Sequence, residues 1–160
     1  MKAKLLLINH SILFLCASMY LGTGGSLIFF SFPIAPQLTV DNYYMQFVPQ
    51  VEAATHFFTY MTMVMIAACG VMMWGEWKTP YRWVPIVVLL AVLAATGLTM
   101  AFIFPYNDTM KNGITDPAVL HQTLDRWMFL NKIRVGLWTI QWLCMMVYFA
   151  SKAAAEGDRG

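Results

Sequence analysis

Apolar residues fall in four long blocks along the chain, each about the ~20 residues a helix needs to cross a bilayer. The first block runs from Lys4 to Phe32 and predicts a helix stopped by Pro33 and Pro36, because proline lacks an amide and clashes with the preceding turn. The second predicts a helix from Val48 to Trp74. The third predicts one from Arg82 to Phe104, ending at Pro105. The fourth predicts one from Ala118 to Lys152, longer than a single crossing, with its first turns projecting above the membrane. Within these blocks the polar positions do not alternate as they would in a barrel strand.

The connections are short. Gly75 to Tyr81 is a tight link, and Tyr106 to Pro117 is a polar loop with turn signals at Asn107-Asp108 and Asn112-Gly113. Short links favour antiparallel neighbours, so the fold class expected is all-α: a membrane four-helix, up-down antiparallel bundle. Residues 1–160 read as one four-helix transmembrane domain, with no repeat or low-complexity tract. The small, polar tail from Ala153 is expected to fray.

Composition narrows the solvent. Hydrophobic residues make up 59% of the 160 positions and charged residues 11%, against about a quarter in soluble domains. Lipid is therefore the expected partner of most of the surface. The net charge of +2 and the lack of any reading motif argue against nucleic acid. Lys2, Lys4, Lys78, Arg82, Lys152 and Arg159 fall on one side, with Lys111 and Arg126 on the other. The positive-inside rule then places both termini in the cytoplasm of a multi-pass cell-membrane protein, the bacterial inner membrane being the expected setting. Trp74, Trp77 and Trp83 would mark the inner interface. Met1 to Lys4 followed by Leu5 to Leu15 resembles a secretory start, but the apolar run continues too far, and a retained first helix is expected.

Cys16, Cys69 and Cys144 lie inside apolar blocks with no CxxC pair, and read as small buried hydrophobes. Most of the 13 methionines, Met61, Met63, Met65, Met72 and Met73 among them, read as adaptable packing. Gly22 to Gly25 is expected to let a neighbouring helix come close. His10, beside Asn9, is expected to hydrogen-bond between helices far from any site.

Polar groups inside membrane helices are costly and ask for partners. In the fourth helix Trp127, Asn131, Arg134, Trp138 and Gln141 recur at spacings of four, three, four and three. That places them on one stripe, which should face the bundle interior. Glu52, His56, Thr59, Met63 and Gly70 form a second stripe on the second helix. Glu52 and His56 at one-turn spacing are expected to meet Arg134 and Asn131, with Asn107 closing the cluster from above. Three readings of that cluster stand open: a register-locking ion pair, a small-molecule site, and a metal site. The metal reading would use Glu52, His56, His121 and Asp125; His121 and Asp125 lie on the wrong face of the fourth helix, so no metal site and no cofactor are expected.

At the fourth-helix stripe the sequence becomes familiar. Trp127, Asn131 and Arg134 form a W-x-x-x-N-x-x-R pattern that resembles a signature of the anthrone oxygenase-like family of four-helix membrane proteins. Pro105-Tyr106-Asn107 resembles that family's P-x-N after the third helix, and Phe32 to Leu38 resembles its F-x-x-x-P-x-L segment. The resemblance covers essentially the whole chain. It implies oxygen insertion into an electron-rich polycyclic phenol without a conventional cofactor. A lipophilic aromatic or quinol-like molecule would ionise against Arg134. Glu52 or His56 would be the base, an assignment that rests on their helical spacing and not on the resemblance, and Asn107, Trp127, Asn131 and Trp138 would contact the substrate. The competing expectation is a non-catalytic subunit that stabilises a larger membrane protein complex.

Overall fold

A computed structural model describes residues 2–157, which hold helices and turns and, among the described residues, no strand. Four helices are long and apolar enough to cross a membrane: α1 (Lys4–Gln37), α2 (Tyr43–Glu76), α3 (Trp83–Lys111) and α4 (Pro117–Ala155). Their ordering follows the four apolar blocks. Arg159 and the Lys2 side chain, counted above among the basic residues, lie outside what is described.

The boundaries differ from the sequence expectation wherever proline was taken as a stop. α1 continues through Pro33 to Gln37, and α3 through Pro105 to Lys111. Both use the same device. A wide turn over Leu27–Ser31 precedes Phe32-Pro33, and a second over Thr99–Ile103 precedes Phe104-Pro105. In each, the Phe amide donates five residues back, to Leu27 O and to Thr99 O. Proline normally breaks a helix because its ring strikes the carbonyl four residues earlier. One extra residue in the turn moves that carbonyl aside, and the proline then opens the next helical segment, where its missing amide costs little.

α2 starts at Tyr43, earlier than the expected Val48. Asn42 Oδ1 accepts from the Thr39 amide at 2.8 Å, and the Tyr43 amide donates to Thr39 O at 3.0 Å. This turn launches the helix early, and Pro49 is carried inside it. The polar loop expected over Tyr106 to Pro117 shrinks, because Tyr106 to Lys111 is helical. Gly113, at φ +88°, makes the turn that follows, a backbone conformation glycine adopts without steric cost. The helix of α4 runs on to Gly157, past the expected end at Lys152.

The four helices pack in a ring, α4 lying most extensively on α3 and α1, with α1–α2 and α2–α3 completing it. At Gly24 α1 comes close to α4: a Cβ there would lie 2.9 Å from Val135 Cγ1 and 3.2 Å from Trp138 Cε3. Gly22 and Gly25, from the same run, have no such neighbour across a helix interface. Two apolar clusters fill the bundle. One is built from Leu13, Met65, Met72, Val88 and Met145. The other, at the opposite end, is built from Phe32, Tyr43, Ile103, Met110 and Trp127. Met61, Met65 and Met72 are core packing, whereas Met63 is exposed. Tyr43 is buried, and its hydroxyl accepts from the Ile114 amide at 2.6 Å and donates to Met110 O at 3.1 Å. It ties the α3–α4 turn to the start of α2. Outward faces carry large apolar side chains such as Phe29, Tyr60, Trp74 and Leu90, as lipid contact requires.

Candidate functional site

Between the two apolar clusters lies a cavity of about 1030 Å³, lined from all four helices. Its extent along α4 is fixed by the helical rise. Trp127 and Gln141 both line it, and at about 1.5 Å per residue they stand roughly 20 Å apart.

The α4 stripe builds one wall. Asn131 and Gln141 are fully buried, Trp127 and Trp138 nearly so, and Arg134 half-buried. Asn131 turns its amide nitrogen to Trp127 O at 2.8 Å. Its Oδ1 is thereby aimed one turn on, where it accepts from Arg134 Nη2. Arg134 Nη1 donates to Thr99 Oγ1 at 3.3 Å, and Thr99 in turn donates to Ala95 O at 2.8 Å. Thr99 opens the wide turn of α3, so the proline-linked distortion of that helix also positions a guanidinium partner. The guanidinium carbon sits 4.7 Å from the Trp138 ring centroid, a cation–π contact.

An aromatic wall continues from Trp138. Tyr20 lies 4.9 Å from it and 4.8 Å from Phe58, centroid to centroid, the latter pair stacked at 24°. Tyr20 Oη lies 2.6 Å from Thr62 Oγ1 and also donates to Phe58 O at 3.1 Å. At the far end Trp127 donates to Asn107 Oδ1 at 2.9 Å and packs against the Phe47 ring at 4.5 Å.

The electrostatics are unbalanced in one direction. Arginine stays charged in proteins, and burying that charge without a counter-ion is costly. Among the described residues the ion pairs are Lys111–Glu52 at 2.6 Å and Lys152–Glu76 at 3.1 Å; Arg134 is met only by the neutral oxygens of Asn131 and Thr99. Its Nε is buried without a partner, and so is Gln141 Oε1. Each such atom costs about 1–3 kcal/mol.

The expected meeting of Glu52 and His56 with Arg134 does not occur. The face of α2 that lines the cavity carries Phe47, Val51, Ala54, Thr55, Phe58 and Thr62. Glu52 and His56 stand on its exposed flank, where Lys111 neutralises Glu52. They border a second, smaller cavity of about 500 Å³ together with Asp108 and Lys111. Phe47, Val51, Thr55, Phe104 and Asn107 line both cavities, so the two adjoin. Asn107, Trp127, Arg134 and Trp138 are brought together on the cavity lining, with Asn131 buried behind it and bonded to Arg134; Glu52 and His56 are not part of it. His121, Asp125 and Lys132 are exposed on another face of α4. No group of three His, Cys, Asp or Glu side chains that could hold a metal ion occurs among the described residues.

Sequence reasoning missed Thr99, Tyr20, Phe58 and Thr62. The recurrence of Phe-Pro at residues 32–33 and 104–105 was the available signal, since a proline inside an apolar block that continues past it calls for a local distortion. No family model matches the chain, and no curated protein or solved structure matches it either.

Proposed function

We propose that this integral membrane protein binds a lipophilic aromatic or quinol-like molecule in the central cavity, with an oxygen of that molecule paired to Arg134. The observation that carries the reading is a half-buried guanidinium on the cavity wall with only neutral partners, seated on Trp138. An apolar, aromatic-lined cavity with a few convergent polar groups is the usual form of a small-molecule site. A phenolate or enolate oxygen would supply the missing negative charge, and the Tyr20–Phe58–Trp138 wall would take the ring faces.

The bundle is proposed to be up-down and antiparallel, a single domain with both termini cytoplasmic. Asn9 bonding to Ala68 O near one end, Tyr20 meeting Thr62 further along, and the exposed Lys4, Lys78 and Arg82 support that topology. Exposed Trp74, Trp77 and Trp83 support an interfacial belt at the same side. A bacterial inner membrane remains the proposed setting.

The resemblance to the anthrone oxygenase-like family supports a further step, oxidation of the bound anion by dioxygen. In this reading Arg134 lowers the cost of the anion, and Asn131 and Thr99 hold the guanidinium. Glu52 and His56 lie outside that cavity wall, so the base is assigned to neither.

The test uses the purified protein in nanodiscs, with 1,8-dihydroxynaphthalene as probe and quenching of tryptophan fluorescence as readout. Saturable binding that weakens by about tenfold or more in Arg134→Gln, a loss of about 1.4 kcal/mol, is expected. Absence of saturable binding to the native chain, or equal affinity in the variant, overturns the assignment. Oxygen uptake with an anthrone, lost in the same variant, tests the oxidative step.

A further inference from the structure

A second polar cluster lies at the other end of the bundle, apart from the Arg134 cavity. His10 of α1, Glu76 of α2 and Tyr148 of α4 are each at least nine-tenths buried. Tyr148 donates to Glu76 Oε1 at 2.7 Å and lies 3.0 Å from His10 Nδ1. Thr79 donates to Glu76 Oε2 at 2.6 Å. Lys152 Nζ pairs with Glu76 Oε1 at 3.1 Å, and its side chain is about one-third exposed, at 36%. Tyr81, ahead of α3, packs edge-on against Tyr148 and under Lys152. These are the titratable groups that face the cluster from α1, α2, the start of α3 and α4.

The hydrogen-bond directions are determined by proton counting. An ionised carboxylate only accepts, so the single Tyr148 proton goes to Glu76. The Tyr148 oxygen must then accept from His10, which places a proton on Nδ1. In the neutral ring Nε2 is left bare, and that atom is buried without a partner. The tautomer is thus assigned by the network around it. An unpaired nitrogen of this kind in a membrane helix points to a function beyond packing.

We propose that His10, Tyr148 and Glu76 form a proton-exchange site that passes one proton between the buried ring and the water beside Lys152. A proton bound at Nε2 releases the Nδ1 proton to the Tyr148 oxygen. The Tyr148 proton moves to Glu76 in the same shift. His10 ends neutral with its proton on Nε2, Tyr148 is again a phenol, and Glu76 is a carboxylic acid that returns its proton to water at the Lys152 end. No bond other than these O–H and N–H bonds forms or breaks, and no oxidant is needed. The site stands independently of the ligand proposed for the central cavity.

The experiment is a titration of the full chain in proteoliposomes. Nitrogen-15 NMR of labelled histidine follows His10, and the infrared carboxyl band follows Glu76. At neutral pH the Nδ1–H form with a bare Nε2 is expected. On acidification the Nε2–H signal and the Glu76 carboxyl band should appear with one shared midpoint, as for one proton held by a coupled pair. Tyr148→Phe should separate the two midpoints by more than about one pH unit. His10→Gln, which leaves Tyr148 and Glu76 in place, should displace the carboxyl midpoint and covers the case in which the first variant does not fold. A native Nε2–H tautomer at neutral pH, a His10 that takes up no proton, or variants that leave the carboxyl midpoint unmoved would each overturn the proposal.

Discussion

The Arg134 guanidinium lies 4.7 Å from the centre of the Trp138 ring, one turn along the same helix. The pair faces a cavity, so the ring covers one side of a charge whose other side is open to a ligand. Trp138→Leu should remove the cation–π contact, worth about 0.5–2 kcal/mol, together with one panel of the aromatic wall. We expect the variant to fold and to bind the naphthalene diol at least about threefold more weakly, the factor that about 0.6 kcal/mol represents. Fluorescence titration in nanodiscs reads the change through the remaining tryptophans, and unchanged affinity would detach Trp138 from the site.

Pro105 is expected to hold the wide turn that presents Thr99 to Arg134. Pro105→Ala restores an amide and removes the ring clash, so the turn can relax toward regular α-helix. Thr99 would then rotate away from the guanidinium. We predict retained helicity with weakened probe binding, checked by circular dichroism and titration on the same sample. Retention of full affinity in Pro105→Ala alongside loss in Thr99→Val would show that the turn does not depend on the proline.

Gly24→Ala places a methyl 2.9 Å from Val135 Cγ1, and overpacking of this kind typically costs about 1–3 kcal/mol. The thermal midpoint in detergent should fall. Adding Val135→Ala should recover part of the loss, giving the non-additivity expected of two residues in contact. Strict additivity of the two changes would sink the close-approach argument.

Tyr43→Phe leaves the Ile114 amide without its buried partner, while the Met110 carbonyl keeps the Gly113 amide at 3.3 Å. An unsatisfied buried amide costs about 1–3 kcal/mol. The turn over residues 112–116 should loosen first, seen as faster protease cleavage there while the helices stay intact. Cleavage at the native rate would mean that the hydroxyl does not hold the turn.

Glu52→Gln is expected to leave both stability and probe affinity as in the native chain. The Lys111–Glu52 pair is solvent-exposed, where ion pairs contribute little, and Glu52 does not line the central cavity. A strong loss of probe binding would return Glu52 to the site.

The inward turn of Trp127, Asn131, Arg134, Trp138 and Gln141 was legible in the sequence because one regular helix carries all five. Helical periodicity alone sets their common face. The position of Glu52 and His56 was not legible in the same way. Their spacing showed that they share a face of α2, but not which neighbour that face meets. A helix of apolar and polar residues in lipid can turn either stripe inward until its partners are known. Here Phe47, Val51, Phe58 and Thr62 won the interior, and Lys111 on α3 was available to pair with Glu52.

What the sequence determined by itself was the solvent and the elements: four apolar blocks, too poor in charge for water, whose backbone amides must pair within helices. It also set the content of the α4 stripe. Only the tertiary structure decided what surrounds Arg134: Thr99 of α3 meets the guanidinium, and Tyr20 of α1 and Phe58 of α2 extend the aromatic wall from Trp138. It alone revealed that the prolines at 33 and 105 are absorbed by wide turns, because a proline removes an amide and crowds the preceding turn whether the helix stops there or widens to pass it.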